Sequence, residues 1–171
     1  MSVFRALAPA KVNLGLFIGA RREHDGRHEL VSVMQSISLA DELTLEPAGE
    51  DAGAGGVQGR GSASRDVLVC PGLPGAPEDN LAARALAAFR EATDWDAPPQ
   101  RLTVTKRIPV AAGLGGGSAD AAAALRLAGA ASGLGDESLL RELAAGLGAD
   151  VPAQVAPGRW LATGAGESLA P

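Results

Sequence analysis

A run of glycines in the second half of the sequence has the composition of a phosphate-binding loop. Residues 113–117 read Gly-Leu-Gly-Gly-Gly, between a strand-like alternating segment, Arg101–Ile108, and a helix-favouring run, Ala121–Ala131. Glycine amides have no Cβ to shield them, so several can converge on one anion, and the dipole of a following helix adds partial positive charge. The equally glycine-rich tract 53–61 has neither the strand nor the helix. We therefore predict that residues 113–117 bind phosphate.

The residues around this loop exclude two common nucleotide-binding motifs. A P-loop requires Lys and then Ser or Thr after its last glycine, whereas Ser118 and Ala119 follow Gly117. A dinucleotide fingerprint requires a strand–helix–strand unit, whereas a second helix is predicted after the first. The Ser118 hydroxyl stands where it would cap the helix, and the same oxygen could contact phosphate or Mg²⁺. The cap is the simpler of the two predictions.

The two lysines are the other candidates for chemistry. Of fifteen basic residues only Lys11 and Lys106 are lysines, and the abundance of Ala and Gly is typical of GC-rich coding, which replaces Lys wherever either cation serves. Lysine is a compact point donor with a tunable pKa, whereas arginine is a planar, always-charged fork. We therefore treat both lysines as candidate functional residues, with chance retention as the alternative.

The N-terminal part of the chain must form the strands that carry Lys11. Residues 1–47 predict four antiparallel strands in a meander: Val3–Pro9, Lys11–Ile18, His28–Ile37 and Asp41–Glu46. In the second strand, one face carries Val12, Leu14, Leu16 and Ile18, and the opposite face carries Lys11, Asn13 and Gly15. The polar cluster 21–26, which includes His24, is predicted to be an exposed loop.

The segment between these strands and the first helix is of mixed character. Residues 47–65 are of low complexity without a periodic apolar face, which predicts a flexible surface loop inside the domain. A strand is predicted at Asp66–Cys70. Glu78, Asp79 and Asn80 then open a helix, with Asp79 or Asn80 as its N-cap.

The chain after the glycine loop and its helix predicts a second helix and an apolar tail. A helix over Glu137–Ala145 is expected to end at Gly146, because the Gly and Pro residues of 148–152 break the helical pattern. Two apolar stretches follow, Val151–Val155 and Arg159–Thr163, and no internal repeat is visible.

Length and composition limit the class of protein. The 171 residues suit one domain, or the first half of two. A net charge of −5 offers no basic face for nucleic acid or an anionic membrane. The single cysteine, Cys70, can form neither an internal disulfide nor a zinc site with a second thiol, and the uncharged runs are too short to span a membrane. We expect a cytoplasmic protein with no nucleic-acid or membrane partner.

Four segments carry a family resemblance. Residues 109–120, Pro-Val-Ala-Ala-Gly-Leu-Gly-Gly-Gly-Ser-Ala-Asp, are similar to the phosphate-loop motif of the GHMP small-molecule kinases. Residues 8–14 (Ala-Pro-Ala-Lys-Val-Asn-Leu), 25–30 (Asp-Gly-Arg-His-Glu-Leu) and 147–152 (Leu-Gly-Ala-Asp-Val-Pro) resemble the branch of the family that acts on 4-diphosphocytidyl-2-C-methyl-D-erythritol. The resemblance implies that residues 1–171 are an α+β GHMP kinase N-terminal domain, a ribosomal-protein-like two-layer fold with a left-handed βαβ crossover.

The resemblance also implies a reaction and a role for each matching residue. The γ-phosphate of ATP, carried with Mg²⁺, is transferred to the C2 hydroxyl of this substrate, in the non-mevalonate route to isoprenoid precursors. Asp150 resembles the catalytic aspartate, and Lys11 its cationic partner, which favours the ionised carboxylate and offsets phosphoryl charge. Asn13, His28 and Arg27 match substrate-binding positions, His28 reading the cytosine. The ATP-binding positions are Asn80, Leu81, Lys106, Pro109, Val110, Ala111, Ala112, Gly113, Leu114, Gly115, Gly116, Gly117 and Ser118, and Ser118 is also the candidate Mg²⁺ ligand.

Simpler interpretations compete with several of these roles. Asp150 could cap a turn, Asn80 could be only a helix cap, and His28 could be a half-buried strand residue. Lys11 and Lys106 could be solvated or chance lysines, and His24 is expected to be loop surface.

Two departures from the family pattern bear on function. Arg27 stands where the family usually has an aromatic residue, although a guanidinium plane can also stack on a base. Family members are nearly twice as long, with a second domain that closes the ATP site, so the resemblance predicts that the C-terminal domain is absent and an apolar surface is exposed, favouring self-association. A kinase of another small alcohol and a catalytically silent nucleotide-binding module are the alternatives that stay open.

Overall fold

The computed structural model describes residues 2–49, 56–57, 66–72, 76–166 and 168–171. Its strands are β1 (Phe4–Arg21), β2 (His28–Pro47), β3 (Gly56–Val57), β4 (Asp66–Val69), β5 (Gln100–Thr105), β6 (Arg159–Thr163) and β7 (Ser168–Ala170). Its α-helices are α1 (Leu81–Thr93), α2 (Gly116–Ser132), α3 (Glu137–Leu147) and α4 (Val151–Val155), and a 3₁₀ turn spans Pro77–Asp79.

The N-terminal region is one long hairpin, so the prediction of four short strands is wrong. β1 pairs antiparallel with β2 from Phe4, opposite Leu45, to Arg21, opposite His28. The register shifts at three places, between Pro9 and Lys11, between Asn13 and Gly15, and between Ile18 and Arg21. The first shift absorbs Pro9, which the sequence pattern treats as a break. Between the pairs Pro9–Ala40 and Lys11–Ser36, β2 contributes two more residues than β1, and pairing resumes beyond them.

The shift between Asn13 and Gly15 also changes which residues share a face. Leu16 and Ile18 line the same cavity as Lys11 and Asn13, instead of lying opposite them as predicted. A bulge adds one residue to one strand and thereby inverts the alternation beyond it. The charged start and the apolar end of the strand therefore face one pocket.

β2 is the central strand of the mixed sheet. Its C-terminal half pairs antiparallel with β5, and its N-terminal half pairs antiparallel with β6. β4 runs parallel to β5, and α1 connects the two as a βαβ unit. Within the described residues the strand order is β3-β4-β5-β2-β6-β7, with β1 on β2. The left-handed sense of the crossover stays a prediction.

The helices cover one face of the sheet and form the core with it. Phe89 and Leu86 of α1 and Leu125 of α2 are almost fully buried against Leu43 and Leu102 of the sheet. The interior of α2 is mostly alanine, which favours helix formation and lets neighbouring elements pack closely. The predicted Asn80 cap is confirmed, because its side chain accepts a hydrogen bond from the Ala82 amide. Two packed layers result, as the α+β prediction required.

Three helix boundaries differ from the sequence prediction. α2 begins within the glycine loop at Gly116, with Gly115 as its N-cap, so Ser118 lies in the first turn and makes no capping bond. α3 continues through Gly146 to Leu147, since one glycine in a helix costs only about 1 kcal/mol. The residues at 151–155 form the short helix α4, because Pro152 lies in its first turn, where proline needs no hydrogen-bonded N–H.

Part of the predicted surface loop 47–65 is described. Pro47 ends β2, and Gly56–Val57 form a two-residue strand on β4. The prediction of flexibility falls largely on residues 50–55 and 58–65, which lie outside the described residues. In the described part of the chain, no helix is both long and apolar enough to cross a membrane.

Candidate active site between two pockets

Two cavities lie close to Lys11, which lines one of them and contacts Leu114 and Gly115 in the wall of the other. The loop pocket, of about 420 Å³, is lined by Asp79, Asn80, Leu81, Lys106, residues 109–118 and Asp120. The strand pocket, of about 330 Å³, is lined by Lys11, Asn13, Leu16, Ile18, His28, Leu30, Ser32, Met34, Ala149, Asp150, Ala162 and Gly166. Every residue predicted to bind ATP lines the loop pocket. Lys11, Asp150, Asn13 and His28 line the strand pocket.

The glycine loop has the backbone geometry of an anion cradle. Gly113 and Gly115 have φ values of 75° and 69°, and Ala111 has the rare positive φ of 59°. The first hydrogen bond of α2 runs from the Ala119 amide to the Gly115 carbonyl, at 2.9 Å. The N–H groups of the first turn therefore have no partner within the helix, which is the arrangement that binds phosphate.

Lys11 joins the glycine loop to the strand pocket. Its backbone amide donates to the Leu114 carbonyl at 2.9 Å. A Cβ built on Gly115 would lie 3.0 Å from both Cγ and Cε of Lys11, so the loop rests against the lysine stem. Position 115 therefore requires glycine both for its left-handed backbone and for this close approach.

The Lys11 ammonium pairs with Asp150 at the mouth of the strand pocket. Nζ lies 3.1 Å from Asp150 Oδ2 and donates to Asn13 Oδ1 at 2.7 Å. The Lys11 side chain is 9% exposed, and that of Asp150 is 37% exposed. Asp150 precedes α4 but makes no side-chain capping bond to it, so its carboxylate faces Lys11 and solvent. At such a pair, the half-exposed carboxylate can accept a proton, and the buried ammonium beside it can attract an anion.

Lys106 belongs to a buried cluster that the sequence analysis missed in part. Its ammonium contacts Asp41 Oδ2 at 2.5 Å and Asp120 Oδ2 at 2.7 Å. Asp41 is fully buried, and its Oδ1 also accepts the backbone N–H groups of Arg107 and Ile108. Lys106, Asp41 and Asp120 together fix the chain as it enters the glycine loop. The retained lysine was the only signal for the cluster, since Asp41 in an alternating strand looks like a surface residue.

The cluster shifts the protonation of each member. Burial would raise the pKa of Asp41, but hydrogen bonds from Lys106, Ile108 and Arg107 outweigh it and lower that pKa. Burial would lower the pKa of Lys106, but hydrogen bonds to Asp120 and Asp41 raise it instead. For Asp120, burial prevails over the attraction of Lys106 and raises the pKa to about 6. Two carboxylates on one buried cation therefore differ in how readily they hold charge.

The two residues expected to read a base lie differently from each other. His28 lines the strand pocket, and its Nδ1 lies 3.1 Å from the Gly19 carbonyl oxygen. Arg27 is not among the residues that line this pocket, and its Nη2 donates to the Ala165 carbonyl at 3.1 Å. Arg27 thus ties the β1–β2 loop to the turn before β7. His24 is exposed beside Asp25, as the loop prediction required.

The loop pocket has oxygen ligands suited to a phosphate-bound Mg²⁺. Ser118 and Asp120 both line it, and Asp120 Oδ1 is buried without a hydrogen-bond partner in the described structure. Among the described residues, no three of His, Cys, Asp or Glu come together to hold a metal ion. Mg²⁺ carried by phosphates needs only one or two oxygen ligands from the protein, so the donor set fits.

Comparison with known proteins agrees with this geometry. Residues 80–158, which carry the glycine loop and Asp150, match the family model of the GHMP kinases N terminal domain. A solved 4-(cytidine 5'-diphospho)-2C-methyl-D-erythritol kinase superposes with a TM-score of 0.74 at 40% identity, covering 98% of this chain and 55% of that one. The chain has the fold of a GHMP kinase N-terminal domain, and its residues 80–158 match that domain.

The chain is also similar to curated relatives over nearly its whole length. The 4-diphosphocytidyl-2-C-methyl-D-erythritol kinase of Corynebacterium efficiens is 45% identical over 96% of this chain and 52% of its own. That of Saccharopolyspora erythraea is 44% identical over 95% of this chain and 48% of its own. The chain thus spans about half the length of these relatives. Mevalonate pyrophosphate decarboxylase from Streptococcus pyogenes, with a TM-score of 0.66 at 12% identity, shares the fold.

Proposed function

We propose that this chain transfers the γ-phosphoryl group of ATP to the C2 hydroxyl of 4-diphosphocytidyl-2-C-methyl-D-erythritol. The observation that carries the proposal is the Lys11–Asp150 pair, with 3.1 Å between Nζ and Oδ2. Both residues line the strand pocket, and Lys11 also contacts Leu114 and Gly115, which line the loop pocket. A phosphoryl donor on one side and an alcohol on the other would meet at this pair. The names of the relatives support the choice of alcohol.

ATP would occupy the loop pocket. The N–H groups at the start of α2 would bind its phosphates, and the helix dipole would add to their attraction. Leu81 and the exposed Val110 would form an apolar wall for the adenine, beside Asn80. When bound, Mg²⁺ neutralises charge on the phosphate oxygens, and Ser118 and Asp120 are the residues that would hold it.

The acceptor would occupy the strand pocket. Leu30 and Met34 contribute apolar surface to it, and Asn13 and His28 are among the polar groups that β1 and β2 present to it. His28 would hydrogen-bond the cytosine ring, and Arg27 would act on the substrate through the loop that it holds. Binding the substrate between fixed groups supplies most of what phosphoryl transfer needs from a protein.

At the Lys11–Asp150 pair, the roles follow from charge. Asp150 would orient the C2 hydroxyl and accept its proton as the oxygen bonds to the γ-phosphorus. The bond from that phosphorus to the β–γ bridging oxygen breaks, and ADP leaves with the electron pair. Lys11 would offset the charge that develops on the transferring group, at a point where it is already held by Asn13 and the glycine loop.

The test is ADP production from ATP and Mg²⁺ with 4-diphosphocytidyl-2-C-methyl-D-erythritol. We expect turnover that Asp150→Asn abolishes and that Asp96→Asn, at an exposed carboxylate in the loop after α1, retains. Turnover with mevalonate or homoserine instead would assign a different alcohol to the same site. Nucleotide binding without any ADP production would indicate a silent nucleotide-binding module and contradict the proposal.

Localisation and partners belong to the same proposal. A cytoplasmic setting is supported by the single cysteine, Cys70, which is free. The small-molecule substrate is the only partner that the site itself requires. Self-association stays a prediction, and the exposed Leu14, Phe17 and Ile18 of β1 are the residues that support it.

A further inference from the structure

Ser32 lines the strand pocket with Lys11 and Asp150, and its hydroxyl hydrogen-bonds with Asn13 and Gly15 rather than with either member of that pair. It belongs to the central strand β2, opposite Leu16 of β1 and Ala162 of β6, and is 2% exposed. Its Oγ donates to the Gly15 carbonyl at 3.0 Å and accepts from Asn13 Nδ2 at 2.6 Å. The buried Ser32 hydroxyl therefore donates one hydrogen bond and accepts another at the place where the register of β1 shifts.

These two hydrogen bonds determine which way the Asn13 amide faces. A carbonyl only accepts, so the single Ser32 hydroxyl proton is committed to Gly15, and Oγ has only lone pairs to offer Asn13. The Asn13 group against Ser32 must therefore be the NH₂, and its oxygen must face the other way. That oxygen, Oδ1, accepts a hydrogen bond from the Lys11 ammonium, with 2.7 Å between Nζ and Oδ1.

The Asn13 oxygen in turn fixes the ammonium. An ammonium has three N–H donors. Asn13 Oδ1 accepts one of them, and the ion pair with Asp150 Oδ2, 3.1 Å from Nζ, holds the group from a second side. Together the two contacts restrict rotation about the Cε–Nζ bond and so set where the remaining N–H points. If the Asn13 amide turned over, its NH₂ would face the ammonium, and Lys11 would lose an acceptor and face a second donor.

We propose that Ser32 is a positioning residue for the proposed phosphoryl transfer: by fixing the Asn13 amide, it sets the direction of the third N–H of Lys11. The inference rests on the proposed function only for the use of that N–H. The orientation of the ammonium itself is a property of the chain without any substrate.

The chain has only two lysines, so the side chain of Lys11 can be followed separately from that of Lys106 by isotope labelling. Protein labelled with ¹³C at the lysine Cε gives two signals, which a Lys106→Arg variant assigns. A held side chain keeps its two Cε protons inequivalent, whereas free rotation of the stem averages their shifts. The quantity measured is the shift difference between the two Cε protons of Lys11, with that of Lys106 as internal reference.

We expect Ser32→Ala to reduce the shift difference at Lys11 by about two-fold or more, while that at Lys106 is unchanged. Ser32→Thr, which keeps the hydroxyl, should restore it. The matched control is Ser132→Ala at the C-terminal end of α2. The Ser132 hydroxyl likewise donates to a backbone carbonyl, that of Gly129, and accepts from the Leu134 amide, and its loss should leave Lys11 unaffected. If Ser32→Ala does not fold, Ser32→Cys keeps a side chain of similar shape and replaces the hydroxyl with a thiol that hydrogen-bonds weakly. The same shift difference at Lys11 is then measured in that variant.

An unchanged Lys11 signal in Ser32→Ala would overturn the inference, and so would equal changes at both lysines, which indicate general loosening. The spectrum requires no turnover. A chain without kinase activity would therefore contradict the proposed function and still decide the role of Ser32.

Discussion

The two lysines of this chain lie in contrasting ionic surroundings. Lys11 faces one carboxylate, Asp150, which is 37% exposed, and one neutral acceptor, Asn13. Lys106 faces two carboxylates, Asp41 and Asp120, which are 0% and 6% exposed. The first pair is electrically balanced and has a half-exposed carboxylate, whereas the second group has one more carboxylate than cations and both of its carboxylates are buried.

The difference separates an ammonium that is available to a ligand from one whose charge is committed to two buried carboxylates, although Lys106 and Asp120 also line the loop pocket. Lys11 has donor capacity beyond Asn13 and Asp150, and it lines the strand pocket while contacting the wall of the loop pocket. Asp41 spends both oxygens on Lys106 and on the amides of Arg107 and Ile108. Removing a member of a buried ionic cluster leaves uncompensated charge, whereas removing a half-exposed partner leaves a group that water can solvate.

The largest expected effect comes from Lys11→Met, which keeps the stem that packs on Gly115 and removes the ammonium. We expect the turnover number in the ADP assay to fall about a thousand-fold, because charge on the transferring phosphoryl group loses its fixed counter-charge. The free energy of unfolding should change by about 1 kcal/mol or less. Arg84→Met, at an exposed cation on α1, is the control. A variant with near-normal turnover would remove Lys11 from the proposed site.

Lys106→Met should lower the stability of the fold much more than Lys11→Met does. Asp41 and Asp120 would be left buried without their cation, so we expect a loss of about 3 kcal/mol in the free energy of unfolding, measured by urea denaturation. Lys11→Met is the matched variant. Equal losses in the two variants would mean that burial of the stem, and not the ionic surroundings, determines stability.

The contrast between the lysines was only partly predictable from sequence. Residue type and spacing identified the glycine loop, the Asn80 cap and both lysines as candidates, because those signals are local. The approach of Asp150 to Lys11 came only from the family resemblance, since nothing local connects residues so far apart in the chain.

What sequence reasoning missed has a common physical cause. The bulge beside Asn13 is marked in the sequence only by Gly15, a weak signal that also fits a regular strand position, yet the bulge puts Leu16 and Ile18 on the face of Lys11. The Pro of α4 was interpreted as a stop signal, although proline is equally suited to a first turn. In each case the tertiary pairing chose between two local conformations that the sequence allowed.

A pH titration sharpens the comparison through Asp120. Its pKa is about 6 in the folded chain, against the usual aspartate value of 3.8 that applies in the unfolded chain. Between these two pH values the folded state therefore binds more protons than the unfolded state. The stability that Asp120 contributes is therefore present below pH 3.8 and is lost as pH rises through about 6. Asp41, whose pKa is lowered, works in the opposite direction, and its contribution is lost as pH falls.

Asp120→Asn isolates this effect because asparagine does not titrate. Relative to the original chain, its free energy of unfolding should rise by about 2 kcal/mol between ~pH 4.5 and ~pH 7. Urea denaturation at several pH values measures the difference. A difference that does not vary with pH would show that Asp120 is ionised throughout this range, and that Lys106 compensates fully for its burial.

The smallest expected effect tests whether the glycine loop really depends on Lys11. Gly115 and Gly113 both have positive φ, so Ala at either should cost about 1 kcal/mol in the free energy of unfolding from the left-handed backbone alone. A Cβ at Gly113 meets nothing within 4 Å, whereas a Cβ at Gly115 meets Lys11 carbons at 3.0 Å. Gly115→Ala should therefore lose about 1 kcal/mol more than Gly113→Ala.

The Lys11→Met background decides the origin of that excess, since the flexible Met stem can move away from the new Cβ. There the two alanine variants should lose nearly equal stability. An excess that persists in this background would place the strain in the loop backbone, and Lys11 would then be a neighbour of the glycine loop without being coupled to it.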